Sequence, residues 1–245
     1  MEWQDEAVVL GTRRHGETSL IVELMTPARG RHLGLVRGGR SKRTLPALQP
    51  GNSVSATWRA RLEEHLGQFT IEPVTMRTAE LIASPIAVFA VQLIASHLRL
   101  LPERDPHVGL YRALLVILEH LDDGAITAEL IVRFELALLE ELGFGLDLTR
   151  CAGTGAQDNL IYVSPKTGRA VSAEAGQPYA DKLLALPGFM ASGADQAETE
   201  IDMLVDGFRL TGFFLARHVW DPRGLAPPSE RESFLKALRR QRRQG

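Results

Sequence analysis

The spacing of apolar residues changes once along this chain, near Thr78, and that change limits it to two parts of different class. Before it, the apolar residues come in short runs. Ala7–Leu10, Ser19–Met25 and His32–Arg37 are β-prone, divided by turn-rich segments at residues 11–16 and 27–30. After a break at Pro46–Gly51, Ser53–Arg59 alternates strictly: Val54, Ala56 and Trp58 on one face, Ser53, Ser55, Thr57 and Arg59 on the other. Gln68–Val74 is a fifth run. Beyond Thr78 the spacing becomes helical, over Leu81–Leu101 with Pro85 in its first turns, then Val108–Leu121 and Ala125–Leu142, the last stopped by Gly143 and Gly145. The stretch 146–176 is irregular, dense in Gly, Ser, Thr and Asp. Helical spacing returns at Tyr179–Leu186, Glu198–Trp220 and Ser229–Arg243.

Five short strands in 78 residues suit a small barrel of the oligonucleotide/oligosaccharide-binding (OB) kind. The predicted fold class is therefore α+β and multi-domain. A five-stranded OB barrel spans residues 1–78, and a mainly α-helical domain spans residues 79–245, including the irregular region 146–176. A hydrophobic fraction of 44% with 24% charged residues is ordinary for a globular chain and excludes wholesale disorder. Glu2, Asp5 and Glu6 follow Met1 where a leader would be basic and apolar. The most apolar stretch carries Pro85, Gln92, His97 and Arg99, which suits a buried helix better than a bilayer span. A soluble, cytoplasmic protein is expected.

The formal net charge of −2 hides strong segregation. No acidic residue lies between Glu23 and Glu63, yet Arg29, Arg31, Arg37, Arg40, Lys42, Arg43, Arg59 and Arg61 do. The last stretch, 231–245, has six basic residues against Glu232, while residues 81–230 hold 11 basic and 20 acidic ones. Screening limits reach to roughly 8 Å, so such an island can bind a polyanion on an acidic protein. An evenly spread, solvated basic surface is the plain alternative.

Catalytic constellations are weak. The seven histidines form no His-Glu-x-x-His pair, Cys151 stands alone, and no Gly-x-x-x-x-Gly-Lys-Ser/Thr loop exists. Gly143-Phe144-Gly145 begins like a dinucleotide fingerprint but follows a helix and has Leu148 in the third glycine position, so it reads as a cap. The strongest chemical feature is Arg37-Gly-Gly-Arg40-Ser41-Lys42-Arg43. Its glycines permit close backbone approach to phosphate, and its four cations can neutralise several phosphates. Arg13, Arg14 and His15 extend that track, and a mobile solubilising loop is the competing reading. Trp3, Trp58 and Phe69 are the only aromatics before residue 80, so backbone electrostatics should outweigh base stacking. Arg133, inside an apolar helical run, is either a snorkelling residue at the core edge or a clamp for the carboxylate end of a peptide. Cys151-x-x-Thr154-Gly and Ser172-x-x-Ala175-Gly share the outline of a Cys-x-x-Cys-Gly zinc knuckle with only one cysteine, which predicts a loop without metal.

In order and spacing, several pieces together resemble the RecO family of bacterial DNA repair and recombination mediators. They are Glu17-Thr-Ser-Leu20 after Arg13, the Arg37–Arg43 run followed by Leu48-Gln-Pro50, and Arg133-Phe-Glu-Leu-Ala-Leu-Leu139 leading to Leu142-Gly-Phe-Gly145. The knuckle outline from Cys151 and Tyr162-Val-Ser-Pro165 also fit. The resemblance implies a non-enzymatic protein that binds single- and double-stranded DNA and anneals complementary strands. It implies RecR, and in many bacteria RecF, as partners in loading RecA onto DNA covered by single-stranded-DNA-binding protein. Carried over by position, Arg13, Arg37, Arg40, Lys42 and Arg43 are DNA contacts, with Arg14 added from the first turn and Arg31 and Arg59 from the basic island. Arg133 would take the acidic, Phe-ended tail of the single-stranded-DNA-binding protein. Departures at Thr154, Ser172 and Ala175 imply loss of the zinc held by some relatives. An adaptor whose barrel binds a partner protein and an RNA-binding barrel remain as alternatives. The basic C-terminal helix is either a second DNA contact or a disordered tail.

Overall fold

A computed structural model describes residues 1–191 and 200–242 of the chain. Its contacts divide into two compact units, with the division between Asp122 and Asp123.

The first unit is built on strands β1 (Glu2–His15), β2 (Ser19–Thr26), β3 (Gly30–Val36), β4 (Ser53–Arg59) and β5 (Gln68–Thr75), closed into a ring in the order β1-β2-β3-β5-β4. All neighbours are antiparallel except β3 and β5, which meet in parallel at Leu35 and Gln68. The alternation in β4 holds: Val54, Ala56 and Trp58 are buried, whereas Ser53, Ser55, Thr57 and Arg59 face outward. Together with Val9, Val22, Leu24 and Leu48 they fill the barrel. Gly67 is required beneath them. Its φ is +64°, and an added Cβ would lie 2.3 Å from the Trp58 indole.

Two sequence expectations change here. Of the turn placed at residues 11–16, only Gly16 is in a turn, because β1 runs on past a bulge between Val9 and Gly11 and pairs with β2 as far as His15–Ser19. The single helix placed at Leu81–Leu101 is two, α1 (Thr78–Ala83) and α2 (Pro85–Leu98). Pro85 forces Ser84 out of the helical region, to φ −133° and ψ 113°, and the Ser84 side chain then caps α2 by accepting from the Ala87 N–H at 3.3 Å. With α3 (Val108–Glu119), these helices belong to the same compact unit as the barrel. Arg99 pairs with Glu23 of β2 at 2.8 Å, and Arg31 of β3 donates to the Leu101 carbonyl at 3.3 Å.

The second unit begins at α4 (Gly124–Glu141), capped by Asp123, which accepts from the N–H groups of Ala125 and Ile126 at 2.9 and 3.0 Å. The stretch expected to be irregular holds β6 (Leu160–Val163), β7 (Ala170–Ser172) and a one-turn helix α5 (Ala173–Gly176), and β8 (Leu184–Ala185), beyond it, completes a small antiparallel sheet in the order β7-β6-β8. Tyr179–Leu186 is not a regular helix. A 3-10 turn over Gln177–Lys182 contains Tyr179 at φ −128°, and β8 follows. Its apolar residues are spaced like a helix but spent on a sheet edge. Helix α6 (Ile201–Leu215) runs into a π turn, Ala216–Trp220, and α7 (Ser229–Arg242) ends the described chain. Residues 198–199 and 243, also expected to be helical, lie outside the described residues.

Phe134, Phe208, Phe214 and Phe234 make the core of this unit. At its centre Glu135 of α4, fully buried, is held by a bidentate pair from Arg231 of α7 at 2.9 and 3.0 Å and by the Thr211 hydroxyl. The Arg231 guanidinium also covers the Phe208 ring at 5.0 Å. The C-terminal helix is therefore a docked element. Phe234 and Leu238 face the core, while Arg239 and Arg240 are exposed.

Candidate nucleic-acid interface

The two basic segments of the barrel, distant in sequence, meet at one end of it. Across β1, β2 and β3 the pairing aligns Arg14 with Leu20 and Leu20 with Val36, and the basic loop leaves β3 directly after Val36. The Arg40 N–H donates to the Thr18 carbonyl at 3.1 Å, and its guanidinium donates to the Glu17 carbonyl. Gly39 lies against Leu20, where an added Cβ would sit 3.2 Å from that side chain. The hairpin bearing Arg13, Arg14 and His15 is thereby joined to the loop bearing Arg37, Arg40, Lys42 and Arg43, and all seven side chains are exposed.

The loop is a succession of tight turns. Ser41 N–H bonds to the Gly38 carbonyl at 2.9 Å, Leu45 N–H to the Ser41 carbonyl at 2.9 Å, and Leu48 is buried in the barrel core. Gly38, at φ +64° with open space around it, supplies the left-handed turn. The Ser41 hydroxyl bonds within the loop, donating to the Thr44 hydroxyl at 3.0 Å.

Beside the loop a cleft of about 580 Å³ opens where β3 and β5 barely pair. Arg37, Thr44, Arg59, Gln68 and Thr70 line it. Thr44, Gln68 and Thr70 were not singled out from sequence. Gln68 and Thr70 are the polar side of the β5 alternation around the buried Phe69, and Thr44 belongs to the basic loop itself.

Other basic residues are occupied within the protein. Arg31 pairs with Glu23 at 3.0 Å, with only 16% of its side chain exposed. Arg59 is exposed but pairs with Glu2 at 2.8 Å. That hydrogen bond raises the Arg59 guanidinium and lowers the Glu2 carboxyl from their ordinary values. The aromatics are also committed. Trp3 stacks on Trp58 with centroids 5.8 Å apart, and His32 meets Trp3, Trp58 and Phe69 edge-on at 5.1 to 5.7 Å. Trp58 and Phe69 are buried, so this barrel presents charge and polar groups where it could have presented rings.

In the second unit Arg133 projects from α4, half exposed, between Glu129 at 2.7 Å and the Phe189 carbonyl, to which it donates at 3.0 Å. The outlined knuckle positions gather in space. Cys151 is buried, its sulfur accepting from the Ser172 N–H at 3.3 Å and hydroxyl at 3.4 Å, with Ala175 nearby across Gly153. Burial opposes ionisation of this thiol, but the bonds from Ser172 and Thr154 prevail and bring it down to about 6. One sulfur with two hydroxyls and a methyl is no ligand set for zinc, and no group of three His, Cys, Asp or Glu suited to a metal exists among the described residues. No helix among the described residues is long and apolar enough to cross a membrane.

The family described as recombination protein O, N terminal, matches residues 1–77, and recombination protein O, C terminal, matches residues 83–224. The matches meet near Thr78, where the spacing changes, while the compact units divide after α3. The chain is 60% identical over 240 residues to a DNA repair protein RecO of Brucella abortus, covering 98% of this chain and 97% of that one. It is 60% identical to that of Chelativorans sp., covering 98% and 96%, and 58% identical to that of Sinorhizobium medicae, covering 98% and 97%. The chain belongs to the RecO family of DNA repair proteins, which is not a family of enzymes.

Proposed function

We propose that the barrel binds DNA through its phosphate backbone and anneals complementary strands without a nucleotide fuel. The carrying observation is the junction made by Arg40, which joins the hairpin and the loop so that Arg13, Arg14, Arg37, Arg40, Lys42 and Arg43 form one basic surface. The cleft beside it, which Arg37 also lines, adds Arg59, whose link to Glu2 is an exposed pair of the kind a phosphate can displace. Arg31 contributes to the local field but stays on Glu23. A strand held here has its phosphate repulsion lowered, so a complementary strand can approach, and base pairing supplies the driving force.

In this reading the protein works in the cytoplasm at the nucleoid, with RecR and, where present, RecF, to load RecA onto DNA covered by single-stranded-DNA-binding protein. Arg133 takes the carboxylate end of that protein's acidic tail, exchanging its exposed pair with Glu129 for the incoming anion. Neither task requires a metal or an organic cofactor.

The first test is binding of fluorescent single-stranded DNA at two salt concentrations, with annealing followed without ATP. Salt-sensitive binding with annealing supports the proposal. Absence of binding at low salt moves the assignment to a protein adaptor. A cleft of about 580 Å³ on the first unit, lined by Leu81, Ile82, Pro85, Val88 and Phe89, keeps that second reading in view. Arg133→Ala should weaken capture of an acidic Phe-ended peptide and leave naked-DNA affinity intact, and equal loss of both would refute the division of labour.

A further inference from the structure

The end of α4 leads into a stack of rings that the proposal above does not use. Leu142 ends the helix and Gly143, at φ +85°, reverses the chain. The Gly143 N–H donates to the Glu140 carbonyl at 2.9 Å and the Phe144 N–H to the Leu139 carbonyl at 2.7 Å, the paired bonds of a Schellman end. The backbone beneath the Phe144 ring is thus firmly held. That ring lies on the His218 imidazole, with centroids 4.9 Å apart and planes at 11°. His218 in turn lies parallel to Phe214, at 6.1 Å and 5°.

Phe214 is 1% exposed and Phe144 is 37% exposed, so three parallel rings run from the core to the surface. His218 takes its place from the π turn Ala216–Trp220, a helix irregularity frequent at functional sites. Burial, aided by the charge of Arg217, lowers the imidazole from its ordinary value, which favours a neutral ring in the stack. The exposed Arg217, tied to the Pro165 carbonyl at 2.7 Å, places a cation on the neighbouring residue.

We propose that Phe144, backed by His218 and Phe214, is a stacking platform for a nucleobase of single-stranded DNA. This rests on the DNA-binding reading above. A flat base laid on Phe144 continues a parallel series that already ends at solvent, and any base serves because each has a π face. The barrel does not compete for this role, its own aromatics being packed against one another. A duplex keeps its bases in its own stack, so the platform should separate single strands from duplexes where phosphate contacts alone do not.

The test uses the full chain and its Phe144→Ala and Phe144→Leu variants, with affinity measured for an oligonucleotide and for its duplex at one salt concentration. A 2-aminopurine base in the oligonucleotide reports stacking through quenching. Both variants should lose roughly 5- to 150-fold in single-strand affinity and lose the quenching, with duplex affinity unchanged. The Leu variant keeps an apolar side chain without a π face, so it decides the matter if the Ala variant does not fold. Wild-type single-strand affinity in a folded variant, or equal loss for strand and duplex, would overturn the platform alone. Wild-type protein that bound no DNA would overturn the DNA-binding reading and the platform with it.

Discussion

Arg31, Arg59 and Arg37 are indistinguishable as letters in one acid-free stretch, yet they differ in what they can do. Arg31 spends its charge on Glu23, Arg59 is engaged by Glu2 at the surface, and Arg37 is exposed beside the cleft. The difference lies in where a carboxylate arrives from another strand, and no local pattern reports that. His32 makes the same point. It falls in an unremarkable strand and becomes the hub of the aromatic box, 3% exposed, with its ring nitrogen 2.9 Å from the Leu33 carbonyl. Burial lowers its imidazole below the ordinary 6.5. The Leu33 carbonyl and Glu103 act against that fall, and Arg104 and Arg29 reinforce it. The unfolded chain then binds a proton more readily than the folded one. The contribution of His32 to stability is full above about pH 6.5 and is lost as pH falls below that toward the folded value. Thermal midpoints should drop on acidification from pH 7 to about pH 5, and His32→Phe, which keeps a ring in the box, should flatten that slope. Equal slopes would show that other groups carry the effect.

At the scale of elements, the strands were the most legible part, because a half-buried strand writes its alternation directly into sequence, as Ser53–Arg59 does. A helix end was legible where a glycine cap acts locally, at Gly143, whereas the break that Pro85 makes between α1 and α2 was not. Tyr179–Leu186 was misread because a short sheet edge and a helical turn can share an apolar spacing, and partner strand β6 decides between them. The C-terminal helix could have been a loose tail by composition alone. It is docked because Arg231 reaches Glu135, an interaction across 96 residues of chain that periodicity cannot reveal. Arg231→Ala would leave the Glu135 carboxylate buried without its guanidinium and should destabilise the protein by about 3–5 kcal/mol, read from urea unfolding. Exposed Arg239→Ala should change stability by less than about 0.5 kcal/mol. Similar small losses in both variants would show that α7 is held by Phe234 and Leu238 alone.

For the whole molecule, charge segregation is the property that the proposed function uses. A net charge of −2 would predict repulsion from DNA if it were spread evenly, and the basic surface on the barrel reverses that locally. Each neutralised phosphate of a single strand contributes about −0.7 to the slope of log affinity against log salt. Replacing Arg37, Arg40, Lys42 and Arg43 together by alanine should therefore make that slope shallower by about 3 while leaving the thermal midpoint nearly unchanged, and an unaltered slope would remove the loop from the interface. The sequence by itself determined the class of fold, the order of its two parts, the basic run and the family, since these depend on periodicity, local charge and motif order along the chain. Tertiary structure decided which cations remain available, that the hairpin and loop form one surface, that the barrel's rings are enclosed and that Phe144 is not. Those outcomes depend on which groups meet after the chain has closed on itself, and a burial or an ion pair between distant residues leaves no periodic trace in sequence.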